Sequence, residues 1–265
     1  MYSFAYHRAK NVKDAVAVLK KADDAKVLAG GQTLIPTLKQ RLAGPANLVD
    51  LGGVKELTGI ALKGKNLVIG AMTRHAEVAT SKVVQKALPA LAELAEAIGD
   101  PAVRNQGTIG GSIANNDPAA DYPAACLGLG ATIVTSKRKI PADKFFKGLF
   151  ETALGDDEVI TQVIFPVAKN AGYAKFPNPA SRYALVGVFV SKNGSDVRVA
   201  VTGASESGVF RAGDMEKALK KNFSAKSLDG VSVKPKGLNS DLHGSAEYRA
   251  HLIGVMARRA VAAAA

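Results

Sequence analysis

The first fifty residues alternate short apolar runs with stretches of helical spacing. Phe4 to Tyr6, Lys26 to Leu28 and Leu48 to Leu51 have the length and bounding turns of strands, the last closed by Gly52-Gly53. Between them Val12, Ala15, Val16 and Leu19 recur at helical spacing behind Asn11, a residue type that caps helices. Leu34, Leu38 and Leu42 line a second helix face, with Pro36 in the first turn, where its missing N–H costs little. The order β-α-β-α-β predicts a small lobe with a parallel sheet.

Leu67 to Ala71 opens a second lobe. Thr73 is expected to cap a short helix from His75 to Thr80. Leu88, Leu91, Ala92, Leu94, Ala95 and Ile98 form the clearest amphipathic helix, stopped at Gly99 and Pro101. A helix over Ala119 to Leu129 and strands at Thr132–Thr135 and Glu158–Ile164 follow, and Pro166 to Gly172 has the composition of a linker. Beyond it the period becomes that of a meander. Tyr173–Phe176, Ala184–Ser191 and Val197–Thr202 are strands, Lys192-Asn193-Gly194-Ser195 is a hairpin turn, and Met215–Lys220 and Glu247–Ala262 are helices. No packing role is expected for the closing alanines. The fold class is α+β, divided at 1–55, 56–167 and 172–265.

Two glycine clusters interrupt this pattern. Val27 to Leu34 runs strand, Gly30-Gly31, Gln32-Thr33, helix; Arg104 to Asp121 holds Thr108-Ile109-Gly110-Gly111-Ser112, then Asn115, Asn116, Asp117 and Asp121. Glycines let another molecule approach the backbone, and unpaired N–H groups beside hydroxyls make a cradle for phosphate oxygens. The helix opened after Asp117-Pro118 adds a dipole that favours an anion. A surface turn cluster has the same composition, but two such clusters suggest two clamps on one ligand with a pyrophosphate at its middle. Neither is Gly-x-Gly-x-x-Gly, and no Gly-x-x-x-x-Gly-Lys-Ser/Thr occurs, so neither a Rossmann turn nor a P-loop is indicated.

These clamps resemble the two flavin-diphosphate loops of the FAD-binding medium subunit of molybdenum hydroxylases, with carbon monoxide dehydrogenase medium subunits the nearest in style and xanthine dehydrogenase more distant. Asn47-Leu48-Val49-Asp50-Leu51, Ile69-Gly70-Ala71-Met72-Thr73, Asp117-Pro118-Ala119-Ala120-Asp121, Pro179 to Ala184 and Ala246-Glu247-Tyr248-Arg249 are similar too, and in the same order. The resemblance implies a two-lobed FAD-binding domain of the PCMH-like type 2 kind, followed by a smaller C-terminal α+β domain with an antiparallel sheet. It implies that Ala29, Gly30, Gly31, Gln32, Thr33, Leu34, Thr108, Ile109, Gly110, Gly111, Ser112, Asn115 and Asp117 surround the cofactor. Asp121 would help hold the adenosine end or its sugar, and Tyr183 would lie near the flavin ring. Lys175, on the strand before it, would favour the reduced anion by its charge. A packed strand residue and a solvated lysine remain the alternatives for these last two.

The resemblance further implies a large molybdenum–pterin partner, a small partner with two [2Fe–2S] clusters, and a dimer of heterotrimers. Electrons would pass from those clusters to FAD and on to an external acceptor, so no catalytic residue in this chain has to touch the oxidised substrate. The clamps carry no histidine for covalent attachment, which predicts non-covalent FAD. The lone Cys126 cannot hold an iron–sulfur cluster, and the four histidines show no His-x-x-x-His spacing, so no metal site is expected.

The net charge of +12 changes the picture little. The lysines are spread out and aromatics are 6% with no Trp, a poor platform for stacking bases, so nucleic acid is not the expected partner. A basic subunit meeting an anionic cofactor and acidic partners fits better, and surface charge kept for solubility alone is the alternative. No apolar run approaches the roughly 20 residues of a membrane span, and the N-terminus lacks the apolar core of a secretion signal, which predicts a cytoplasmic protein. Two other readings stay open. One is a standalone FAD-dependent reductase of similar fold, like the cell-wall precursor reductases, with Ser205 and Glu206 as weak proton donors. The other is a non-catalytic basic binding module.

Overall fold

The computed structural model describes residues 1–264. The chain opens with β1 (Ala5–Arg8), α1 (Val12–Lys21), β2 (Ala25–Leu28), α2 (Leu34–Lys39) and β3 (Asn47–Asp50). The strands run parallel in the order β1-β3-β2. Asn11 caps α1, its Oδ1 accepting from Asp14 N at 2.9 Å, and Ala15 and Leu19 bury against Val49 and Leu51. The α2 helix stops before Leu42, which is exposed and outside the expected stripe.

Next come β4 (Ile60–Lys63), β5 (Asn66–Gly70), and six short helices: α3 (His75–Thr80), α4 (Lys82–Ala87), α5 (Pro89–Glu96), α6 (Pro101–Arg104), α7 (Ile109–Asn115) and α8 (Tyr122–Leu129). They are followed by β6 (Thr132–Thr135), β7 (Lys139–Pro141), α9 (Ala142–Phe145), β8 (Phe146–Gly148), β9 (Glu151–Thr152) and β10 (Ile160–Pro166). An antiparallel sheet of order β4-β5-β10-β6-β7 forms the floor under the helices. The β4 strand carries three exposed residues out of four, so its pattern lacks the apolar run by which strands are read. The amphipathic stripe begins at Leu88, which lies outside any helix, and α5 ends at Glu96, so Ile98 falls beyond it. Arg74, not Thr73, occupies the cap of α3; Thr73 instead bonds the backbone of Gly59.

Last come β11 (Asn170–Pro177), β12 (Ala184–Asn193), β13 (Asp196–Thr202), β14 (Phe210–Arg211), α10 (Gly213–Lys221) and α11 (Ala246–Ala263). The antiparallel meander β11-β12-β13-β14 turns at Gly194, as expected from Asn-Gly. The expected linker shrinks to residues 167–169, because the backbone from Asn170 onward pairs with β12. The closing alanines do pack: Asn170 Nδ2 donates to Ala264 O at 2.8 Å, and Gly172 is so close to α11 that a β-carbon there would lie 2.1 Å from Ala260 O. All eight residues of α8 are buried, because it lies between the second sheet and the C-terminal one, where Phe189 and Ala200 join its core. An unbroken apolar circumference is what such a position requires.

Candidate functional site

The two glycine clusters, 78 positions apart at Gly30 and Thr108, meet in space. A β-carbon on Gly30 would fall 2.2 Å from Gln106 O and 2.7 Å from Gly107 Cα, and one on Gly111 would touch the Ala29 side chain. Only a bare backbone allows this approach. The two loops are therefore one surface, with β2 delivering the first and α6 the second.

The first loop has donors to offer. No acceptor among the described residues takes the backbone N–H groups of Ala29, Gly30, Gly31, Gln32 or Thr33, and Gln32 and Thr33 are exposed. Gly31 turns the chain at φ +71°, and the Thr33 side chain leaves α2 uncapped. Leu34 begins that helix, half-buried.

The second loop differs from expectation. Ile109 to Asn115 is a helix, and its leading N–H groups are already bonded. Ile109 N donates to Thr73 O at 3.1 Å, Gly110 N to Ala71 O at 2.8 Å, Gly111 N to the capping Thr108 Oγ1 at 3.1 Å, and Ser112 N to Thr108 O at 3.0 Å. The expected run of unpaired amides at 108–112 is thus replaced by a helix start locked to the β5 exit. Gly110 is glycine because a β-carbon would sit 2.7 Å from Ala71 O. Ile109 is turned into the core, whereas Ser112 and Asn115 remain half-exposed. Asn116, in the left-handed conformation at φ 45°, ends α7 and donates to Gly148 O and Glu151 O, both at 2.8 Å. Its amide donors are thereby internal.

Behind this helix lies His75. Its N–H donates to Gly107 O at 3.0 Å, and its ring packs 5.3 Å from the Tyr122 ring. Burial, aided by the Arg104 charge, lowers its pKa to about 4. Its Nδ1 has no partner among the described residues. Neither His75 nor Thr73 stood out in the sequence as part of the site, because a single buried histidine has no spacing to reveal it.

The segment Asp117 to Asp121 is held by the C-terminal sheet. Thr202 Oγ1 lies 3.0 Å from Pro118 O and 2.6 Å from Ala120 O, and Gly203 N donates to Pro118 O at 2.8 Å. Asp117 Oδ1 accepts from Ala119 N at 2.8 Å, and burial raises its pKa. Asp121 is buried, and there Lys175 Nζ reaches Oδ2 at 3.0 Å while the Tyr173 hydroxyl donates to Oδ1. Burial pushes the Asp121 carboxyl up, against Lys175 and Tyr173, which favour its charged form. Lys175 also donates to Ala97 O at 3.0 Å, so its buried ammonium has two of its three N–H groups engaged. Tyr173 and Lys175 sit two apart on one strand and so share a face, a relation the sequence carried but which had no meaning until Asp121 was placed opposite. Tyr183 ends a tight turn closed by Asn178 N to its own carbonyl, 2.7 Å, and is 47% exposed. Burial of its hydroxyl and the nearby Asp117 and Asp121 carboxylates raise its pKa, which puts all three in one electrostatic neighbourhood.

A family described as the FAD binding domain in molybdopterin dehydrogenase matches residues 2–168. The chain is 38% identical over 277 residues to the carbon monoxide dehydrogenase medium chain of Hydrogenophaga pseudoflava, covering 98% of this chain and 96% of that one. It is 36% identical over 270 residues to the nicotine 6-hydroxylase medium subunit of Paenarthrobacter nicotinovorans, covering 97% and 95%. Its fold matches the solved structure of reconstituted CO dehydrogenase from Oligotropha carboxidovorans at TM-score 0.89 and 35% identity, over 99% of this chain and 97% of that one.

Proposed function

The chain belongs to the FAD-binding medium subunits of the molybdenum hydroxylases, as an oxidoreductase component, and on that premise we propose that it relays electrons. They come from [2Fe–2S] clusters of a small partner chain to FAD held here, and go on to an external acceptor. A large partner carries the molybdenum–pterin centre where substrate is oxidised, and two such trimers pair. The units 1–55 and 56–167 hold the cofactor, and 172–265 buttresses them.

The observation that carries the binding part is the row of backbone N–H groups from Ala29 to Thr33 without protein acceptors, set against Thr108 to Ser112. These residues fit a diphosphate: several donors converge, and glycines allow contact at backbone distance. The amides of Gly30, Gly31, Gln32 and Thr33 would bind it, with the Thr33 and Ser112 hydroxyls beside them. The second loop contributes position rather than amides, because Gly111 lets α7 press on the first loop at Ala29 while Gly110 seats the helix on Ala71. FAD, when bound, supplies the redox chemistry. Asp117 and Tyr183 line the neighbouring surface, and Lys175 orders it through Asp121. The molybdenum-side substrate needs no acid or base from this chain.

Non-covalent binding is tested by denaturation, which is expected to release all yellow colour; colour retained on the chain would overturn it. The relay is tested by reducing the assembled complex with its own substrate in a rapid-mixing experiment. Cluster bleaching followed by flavin bleaching is expected. Clusters that reduce while the flavin stays oxidised would end the proposal.

A further inference from the structure

At the opposite end of β5 from the clamps the surface holds an open cavity of about 820 Å³. Lys65 lines it, and Asn66, the next residue, is four residues from Gly70, which at ~3.3 Å per residue puts that end on the order of 13 Å from the clamp end of the strand. The cavity is lined by the β4–β5 turn, α4, residues 167–169 and Asn193, and Val167 N bonds Lys65 O at 2.9 Å. Leu62 and Val83 line it and are 52% and 40% exposed. Lys65, Lys82, Lys86 and Lys169 surround it, no Asp or Glu lines it, and none of the four has a carboxylate partner among the described residues.

Lys82 and Lys86 are one turn apart on α4, a like-charged spacing that disfavours the free helix. An apolar cup ringed by uncompensated cations is complementary to an aliphatic side chain flanked by carboxylates. Leu62 and Val83 remain exposed although they line the cavity, which suits a protein surface that covers them better than a pocket that swallows a small molecule. We propose that this groove docks an acidic segment of a partner subunit, one that carries an aliphatic anchor. The proposal rests on the multi-subunit reading above.

The test uses the full chain and the purified partner subunits. The double variant Lys82→Glu/Lys86→Glu is expected to bind them at least roughly tenfold more weakly with a flatter salt dependence, at unchanged flavin content. The same charge change at Lys220 and Lys221, on α10, controls for net charge and is expected to leave binding unaltered. Hydrogen exchange of the unmutated chain is expected to slow at residues 62–65 and 82–87 on assembly. Equal affinity and salt slope for the groove variant, or no protection of those residues, would overturn the proposal while the relay stands. Failure of the unmutated chain to bind the partners would overturn both. Dodecanoate binding in the groove with assembly unaffected would mark a small-molecule site and overturn it as well.

Discussion

The carbonyl oxygen of Gln106 lies 2.2 Å from where a β-carbon on Gly30 would have to be. The contact is backbone against backbone, so neither side can yield by rotating a side chain. Gly30→Ala must part the two loops, a strain of about 1–3 kcal/mol by analogy with overpacked cores. FAD affinity is expected to fall roughly ten- to hundredfold, since each ~1.4 kcal/mol is tenfold. Gly213→Ala, at a glycine with nothing within 4 Å, is the matched control. Titrating apoprotein with FAD and following flavin fluorescence distinguishes them; equal affinities would separate the clamps from the cofactor.

Lys175 and Asp121 form a buried ion pair, their side chains 6% and 5% exposed. Lys175→Met would strand the carboxylate with Tyr173 alone, at a cost of about 3–5 kcal/mol to the fold. Lys175→Met/Asp121→Asn is expected to recover much of that loss, because no uncompensated charge remains. Denaturant unfolding of the apoprotein measures both. A lysine that serves the flavin directly would behave otherwise, with Lys175→Met shifting the flavin potential while apoprotein stability stayed at its original value.

Thr202 reaches across from β13 to Pro118 O and Ala120 O. Thr202→Val keeps the shape and removes the donor, leaving a buried carbonyl short of a partner at about 1–3 kcal/mol. The Asp117–Asp121 segment is expected to loosen, with faster hydrogen exchange at residues 117–121 and weaker FAD binding. Unchanged exchange there would show that the C-terminal sheet does not hold the segment.

The family and the α+β class were legible because they depend on ordered local patterns: the Gly-Gly clusters, the alternating first lobe and the Asn-Gly hairpin. Misreadings came where tertiary packing overrides local signals. Gly110 and Gly111 suggested a cradle of unpaired amides, yet Gly110 packs on Ala71 and both lie in the first turn of a helix. The closing alanines suggested nothing, since smallness has value only once Gly172 faces Ala260. Lys175 suggested a free charge because its partner stands 54 positions earlier. Side-chain identity at the clamps was readable in sequence; which amides remain unbonded was not, because that depends on the β5 exit lying alongside.

Acid should reach the site through His75. Its ordinary value of 6.5 falls to about 4 because the ring is buried and Arg104 is near. The folded state therefore prefers the neutral ring. That preference is fully expressed above about pH 6.5 and is lost as pH falls from 6.5 through 4. A shift of this size corresponds to roughly 3 kcal/mol at ~1.4 kcal/mol per unit. Glu158, held at about 2 against burial by Arg138, Thr135 and Gly155 N, loses its contribution only below its ordinary 4.5. The interval from pH 6.5 to 4.5 thus isolates the histidine from that carboxylate. Because the His75 ring lies against Gly107, where a β-carbon would fall 2.6 Å from Nε2, charging the ring is expected to weaken FAD retention over the same interval. His75→Gln should flatten both the stability slope and the flavin loss between pH 6.5 and 4.5, read from urea midpoints and from filtrate fluorescence. Parallel slopes in variant and unmutated chain would show that another group senses the acid.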